Sequence, residues 1–249
     1  MSGWPVEYAR RVLSTVDSTN AEAARIAPEM TQPTWILALE QTAGRGRRGR
    51  VWANPPGNFA ATLLLRPTEA PHLTALRSFV AALALHEAFV TVSGRPEAFS
   101  LKWPNDVLLN GGKVAGILLA SLGVFHGVIY LAVGIGVNLI AAPDPAQLEE
   151  RAVRPVSLMS ETGAHVTPEE FLEALAIAYA AYETQFQTYG FEPIRQAWLA
   201  RAAKLGEVIT ARTGNTERVG TFETLDEHGN LVLRTAQGRE AIPAADVFF

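Results

Sequence analysis

The chain has 249 residues, 48% hydrophobic and 18% charged, enough for a buried core and outside the composition of a disordered chain. A formal net charge of −4 excludes a nucleic-acid polyelectrolyte, and the absence of cysteine excludes disulfides, thiolate catalysis and cysteine-based zinc sites. The opening MSGWPVEYARR lacks a signal-peptide core and no apolar run is read as membrane-spanning, so the default expectation is the cytoplasm.

In chain order, VLSTV (12–16) reads as a short strand and Thr19-x-x-Glu22 as a capping box opening the helix NAEAARIA, which puts Ser18, Thr19 and Asn20 at a strand-to-helix junction. TWILALEQ (34–41) and NFAATLLLR have the β-branched, aromatic and aliphatic content of strands, and QTAGRGRRGRVW bridges them. From Leu73 to Val92, apolar residues at helical spacing and plentiful alanine predict a long, mostly buried helix. LKWPNDVLL is predicted to run extended to Asn110-Gly111, a strong hairpin signal, after which KVAGILLAS returns and pairs with GVIYLAVGIGVNL. Polar residues 141–167 separate this sheet from helices over roughly 168–189 and 193–203. After Lys204, the alternating segments GEVITAR, RVGTFETL, NLVLRT and REAIPA, punctuated by glycine turns, predict a small all-β barrel. The expected division is a main domain over 1–204 and the barrel over 205–249.

The run from Gln41 to Trp52 interleaves Arg45, Arg47, Arg48 and Arg50 with Gly44, Gly46 and Gly49. Glycine lets backbone approach a ligand closely, so guanidinium groups and amide donors can converge on one anion. The run matches neither the phosphate loop ending in Gly-Lys-Ser/Thr nor the dinucleotide fingerprint. A solvated loop is the plain alternative, and its place between two strands argues against a nucleic-acid-binding tail. Ser18-Thr19-Asn20 is equally readable as a helix cap alone. Lys113, inside an apolar strand, is either exposed at an edge or paired with something negative. Asp106 could simply end a turn and Asn138 terminate a strand. His72, His86, His126, His165 and His228 are dispersed without metal-ligand spacing, so no metal site is expected.

Taken in order, STN, QTAGRGRRGRVW, KWPND, KVAGIL and GIGVN resemble the biotin protein ligases over residues 18–138, and 206–249 resembles that family's C-terminal cap. The resemblance implies an α+β fold: a central mixed β-sheet with flanking helices, like the class II aminoacyl-tRNA synthetases, plus the small C-terminal all-β barrel. It implies an enzyme that activates biotin with ATP to biotinyl-5'-AMP, releases pyrophosphate, and passes biotin to one lysine of the carboxyl carrier protein of acetyl-CoA carboxylase, with Mg²⁺ accompanying ATP. By the same resemblance Ser18, Thr19, Asn20 and Gln41 line the biotin site, and Gly44, Arg45, Gly46 and Arg47 wrap the carboxylate and phosphate. Arg48 and Arg50 lie nearer the nucleotide phosphates, Trp52 beside the adenine, and Asn105 and Asn138 contact the nucleotide. Gly116 and Gly134 permit close approach. Lys113 contacts both the biotin carboxylate and the reacting phosphate, and Asp106 receives the carrier lysine. Catalysis thus falls to Lys113, Arg45, Arg47 and Asp106.

Leu119-Ala120-Ser121 stands where the family usually offers an acidic residue, which leaves a carboxylate role there unfilled. Seventeen residues precede Ser18, fewer than a helix-turn-helix module needs, so operator binding is not expected. Neither DNA nor membrane is an expected partner, and the chain is a monomer or a homodimer. The rival readings are a lipoate protein ligase, a nucleic-acid-binding module using the arginine loop, and an inactive biotin-binding regulator.

Overall fold

The structure is a computed structural model that describes residues 3–125, 128–144 and 153–249. His126 and the middle of the polar connection over 141–167 lie outside the described residues. Strands β1 (Ala9–Val16), β2 (Thr34–Gln41), β3 (Phe59–Leu65), β4 (Phe99–Lys102), β5 (Asp106–Leu109), β6 (Gly112–Phe125) and β7 (Val128–Val137) form one sheet in the order β1-β2-β3-β7-β6-β5-β4. β1 runs parallel to β2 and every other neighbouring pair is antiparallel, giving the expected mixed sheet.

Residue parity decides which face does what, because successive side chains in a strand point to opposite faces. In β3, Phe59, Ala61, Leu63 and Leu65 join the main core beneath helices α3 (Arg77–Ser93), α5 (Pro168–Tyr189) and α6 (Phe191–Leu199). Phe59 meets Phe171 edge-on with ring centroids 5.1 Å apart, and Phe89 stacks on Phe99 at 4.9 Å. Each fully buried side chain of this kind contributes about 1.5–3 kcal/mol. The alternate residues of β3 face the other side, where Leu64 packs with Ile36 and Ala132 under helix α1 (Thr19–Ile26). α1 covers only the β2–β3–β7 part of that face, and the site occupies the part beyond it.

Several expectations are corrected. The helix over 73–92 breaks into α2 (Pro71–Ala75) and α3. Contrary to the reading of the sequence, Pro71–Ser93 is long and apolar enough to cross a membrane, but most of it is buried in the protein, as suits a core helix. LKWPNDVLL is two antiparallel strands, β4 and β5, around a turn at 103–105 that contains the cis Trp103–Pro104 bond. The polar connection holds a short helix α4 (Leu158–Thr162), capped by Ser157.

The C-terminal segment folds as β8 (Val208–Thr213), β9 (Thr216–Leu225), β10 (Leu231–Thr235), β11 (Gly238–Ile242) and β12 (Asp246–Phe248). Its order β11-β10-β9-β8-β12 leaves β11 and β12 as opposite edges, so the expected small barrel is an open antiparallel sheet. Val247 joins the main core, and the Trp103 indole donates to the Gly229 carbonyl at 3.0 Å, so this sheet is docked on the β4–β5 turn.

Candidate functional site

A register row crosses the open face of the sheet. Gly136 pairs with Gly116, Gly116 with Asp106, and Asp106 with Lys102, so one line from β7 to β4 presents two glycines, a carboxylate and an ammonium. The glycines make the floor. A Cβ on Gly136 would lie 2.3 Å from the Trp52 ring, and one on Gly134 would lie 2.4 Å from Asn20 Oδ1. A cavity of about 630 Å³ stands on this floor.

One end of the cavity is polar. Gln41 Oε1, at the end of β2, accepts the Thr19 N–H at 2.8 Å, and Thr62 donates to Asn20 Oδ1 at 2.6 Å while lying 2.8 Å from Thr19 Oγ1. The capping box is therefore not formed. Ser18 is the N-cap and its hydroxyl makes no cap bond, while Glu22 is held by Arg25 at 2.7 Å and Arg11 at 3.0 Å. Cross-strand partners take the Thr19 groups that the local rule would have spent on the helix. Among the described residues the amide nitrogens of Asn20 and Gln41 donate to no protein acceptor, which leaves donors for a ligand at this end.

At the centre lies Lys113. Val107 pairs with Ala115 but Leu108 with Lys113, so Val114 is an extra residue in β6. A bulge flips the alternation of side chains. It brings Lys113 to the same face as Gly116, where its Nζ lies 2.8 Å from Asp106 Oδ1 and 5.8 Å from the Trp52 ring centre. Of the two sequence alternatives for Lys113, pairing is the one observed; the side chain is 31% exposed. Asn138, which lines the cavity, donates its amide to the Val156 carbonyl at 3.1 Å and so braces the segment beside Lys113.

The arginine run arches over this centre. Arg45 and Val51 form an antiparallel bridge, Gly46 N–H donates to the Arg50 carbonyl at 2.7 Å, and the chain reverses at Arg47–Gly49 with Arg48 at φ 55° and Gly49 at φ 74°. The legs cross so tightly that a Cβ on Gly44 would lie 2.6 Å from the Trp52 carbonyl oxygen; Gly44 serves this crossing and does not line the cavity. Arg45, Arg47 and Arg50 do line it. Arg47 donates to Asn105 Oδ1 at 3.1 Å, and burial presses its guanidinium below the usual arginine value, so an anion beside it would offset desolvation. Arg48 lies outside the cavity lining and is ion-paired to Asp246 of β12, with Arg50 at 3.8 Å and Arg212 at 3.9 Å from the same carboxylate.

The site thus gathers most of the residues singled out from the sequence: Ser18, Thr19, Asn20, Gln41, Arg45, Gly46, Arg47, Arg50, Trp52, Asn105, Asp106, Lys113, Gly116, Gly134 and Asn138. Sequence reasoning included Gly136 and Lys102 in its candidate segments without giving either a role, and it missed Thr62 and Asp246. Gly136 and Lys102 carried a signal, standing beside the chosen residues within GIGVN and KWPND. Thr62 and Asp246 carried none, since their partners lie far away in the chain. The chemistry on offer is anion handling: cations converge on a glycine floor, with a polar, hydrogen-bonding recess at one end.

The family model described as the Biotin/lipoate A/B protein ligase family matches residues 9–138, and that described as the Biotin protein ligase C terminal domain matches residues 204–249. The chain is 58% identical over 238 residues to a biotin--[acetyl-CoA-carboxylase] ligase of Paracoccus denitrificans, covering 96% of this chain and 99% of that one. It is 32% identical over 240 residues to the bifunctional ligase/repressor BirA of Bacillus subtilis, covering 95% of this chain and 71% of the relative. Among solved structures, a biotin protein ligase from Aquifex aeolicus in complex with biotin and ATP superimposes with a TM-score of 0.79 at 27% identity, covering 96% of this chain and 97% of that one.

Proposed function

The chain belongs to the biotin/lipoate A/B protein ligase family, and from that premise we infer that it is an ATP-dependent biotin protein ligase. It activates biotin as biotinyl-5'-AMP, releases pyrophosphate, and passes the biotinyl group to a lysine of the carboxyl carrier protein of acetyl-CoA carboxylase. The observation that carries this reading is the Lys113–Asp106 pair between the polar recess and the arginine arch, on a floor that excludes side chains.

The two substrates of the first step are both anions, and their repulsion must be offset before a carboxylate can attack phosphorus. Arg45, Arg47 and Lys113 face the space where carboxylate and α-phosphate would meet. The Asp106 carboxylate keeps the Lys113 ammonium beside it, 2.8 Å away, which limits where that cation can stand against the reacting groups. At the recess, Asn20 and Gln41 satisfy the ureido ring with help from Ser18 and Thr19. Arg48, Arg50, Trp52, Asn105 and Asn138 serve the nucleotide side, with Arg48 acting through the loop. Gly44 and Gly46 shape that loop, while Gly116 and Gly134 let the ligand lie on the sheet.

Magnesium arrives on the phosphates as MgATP. In the second step the carrier lysine must lose a proton before attacking the acyl carbon, and Asp106, a carboxylate lining the cavity, is the group we assign to receive it. Residues 1–204 act as the catalytic domain and 205–249 as a small C-terminal domain docked on it. The carrier domain is the protein partner, the acidic total charge disfavours a nucleic acid, and the reaction belongs to the cytoplasm.

A lipoate ligase is the second reading. Lipoate has no ureido ring, so it would leave the recess donors of Asn20 and Gln41 unpaired, which a buried polar site penalises strongly. Incubating the protein with ATP, Mg²⁺, a carrier domain and either biotin or lipoate decides the matter. A gain by the carrier of one biotinyl mass is expected; modification by lipoate alone would overturn the assignment.

A further inference from the structure

Neighbouring strands lie about 4.8 Å apart, so along the row Gly136–Gly116–Asp106–Lys102 the β4 lysine starts about 10 Å beyond Gly116. It therefore stands on the far side of the Lys113–Asp106 pair from the polar recess. Lys102 is only 7% exposed, yet it lines the cavity. Among the described residues no carboxylate reaches its ammonium at ion-pair distance: Asp106 is engaged by Lys113 at 2.8 Å, and Asp246 is engaged by the arginines of the loop and β8. Its neighbour is the Phe249 ring, with Nζ 5.6 Å from the ring centre.

An unpaired buried cation is costly. Burial accordingly pushes the Lys102 ammonium below its ordinary value, with Asp106 pulling the other way. Such a cost persists where an anion arrives to offset it. Arg45, Arg47 and Lys113 already face the carboxylate and α-phosphate, and the next anionic group along the row is the rest of the triphosphate.

We propose that Lys102 binds the β-phosphate of ATP and stabilises the departing pyrophosphate, a role that rests on the ligase reading above. A biotin carboxylate oxygen forms a bond to the α-phosphorus as the bond from that phosphorus to the bridging oxygen breaks. The electron pair leaves with the bridging oxygen, and no proton needs to move. Negative charge grows on pyrophosphate only as that bond breaks, so an ammonium placed there favours the transition state over bound ATP.

The test uses the full chain and Lys102→Met, with Lys102→Arg beside it. For the methionine variant, adenylate formation should fall about 100-fold, the loss typical of removing one electrostatic donor from a transition state. KM for ATP should rise and pyrophosphate should inhibit more weakly. Biotin binding measured by calorimetry should stay unchanged, as should transfer to the carrier from chemically prepared biotinyl-AMP, because that half-reaction contains no pyrophosphate. Arginine should restore part of the ATP-dependent rate.

Unchanged ATP kinetics in Lys102→Met would overturn the proposal. So would an equal loss in both half-reactions, which would mark Lys102 as a packing or carrier-binding residue. Failure of the unmutated protein to make any biotinyl-AMP would instead strike the ligase reading itself.

Discussion

At the scale of single residues, the site depends on side chains that are missing as much as on those present. Gly134 faces Asn20 so closely that Gly134→Ala would push a methyl against the Asn20 amide, 2.4 Å from Oδ1. Asn20 is also held by Thr62, so it has little room to retreat. The alanine variant should therefore weaken biotin binding about tenfold, the equivalent of one hydrogen bond or about 1.4 kcal/mol, and leave KM for ATP nearly unchanged. Calorimetry with biotin alone checks this, and intact affinity would show that Asn20 does not hold the ligand. Lys113 is the opposite case. Its position depends on the extra residue Val114, and its ammonium is paired with Asp106. Lys113→Ala should keep the fold and lose most adenylate formation, read as pyrophosphate release in a single turnover; a near-normal rate would remove this lysine from the mechanism.

At the scale of elements, the arginine arch is tied to the C-terminal sheet. Arg48 and Asp246 are 198 residues apart in the chain, yet they pair where β12 meets the loop. The Arg48 side chain is half exposed, so the pair is worth under about 1 kcal/mol to stability; its consequence lies in loop order. Asp246→Asn should raise the rate at which biotinyl-AMP escapes several-fold with little change in the unfolding midpoint. Arg48→Ala should do the same, and the double variant no more than either alone, because both remove one contact. Additive losses would separate the two residues and sink the latch. The same pair shows where sequence reading stops. β2 was legible to its end residues, and Asn110-Gly111 turns as its composition demands, with both residues at positive φ. Those features are local. β12 is a strand of three residues whose identity comes from pairing with β8, and Thr62 becomes a site residue only when α1 is laid across β3. The Thr19 capping box failed for the same reason: distant partners outbid a local rule.

At the scale of the whole molecule, the two sheets share one hydrophobic core, and the junction carries a titratable group. His86 on α3 is buried, and burial, reinforced by Arg201 just beyond α6, lowers its pKa to about 4 from an ordinary 6.5. The stretch around Arg201 also pairs with β4, where its carbonyl accepts the Leu101 N–H at 2.8 Å, so this histidine sits where the catalytic sheet meets the approach to the C-terminal sheet. Above pH 6.5 the histidine is neutral in folded and unfolded chains alike and contributes no pH dependence. Between 6.5 and about 4 the unfolded chain takes up a proton that the folded chain refuses, so stability falls as pH falls, by at most about 1.4 kcal/mol per pH unit. Below about 4 both forms are protonated and the slope vanishes. Carboxylates such as Asp17, held down to about 2 by Arg25, act at lower pH and are common to any His86 variant. His86→Leu should therefore flatten urea-unfolding stability between pH 6.5 and 4.5 relative to the unmutated chain, whatever its absolute stability. Parallel pH profiles for the two proteins would show that the histidine is protonated in the folded state, and that acid does not loosen the junction through this residue.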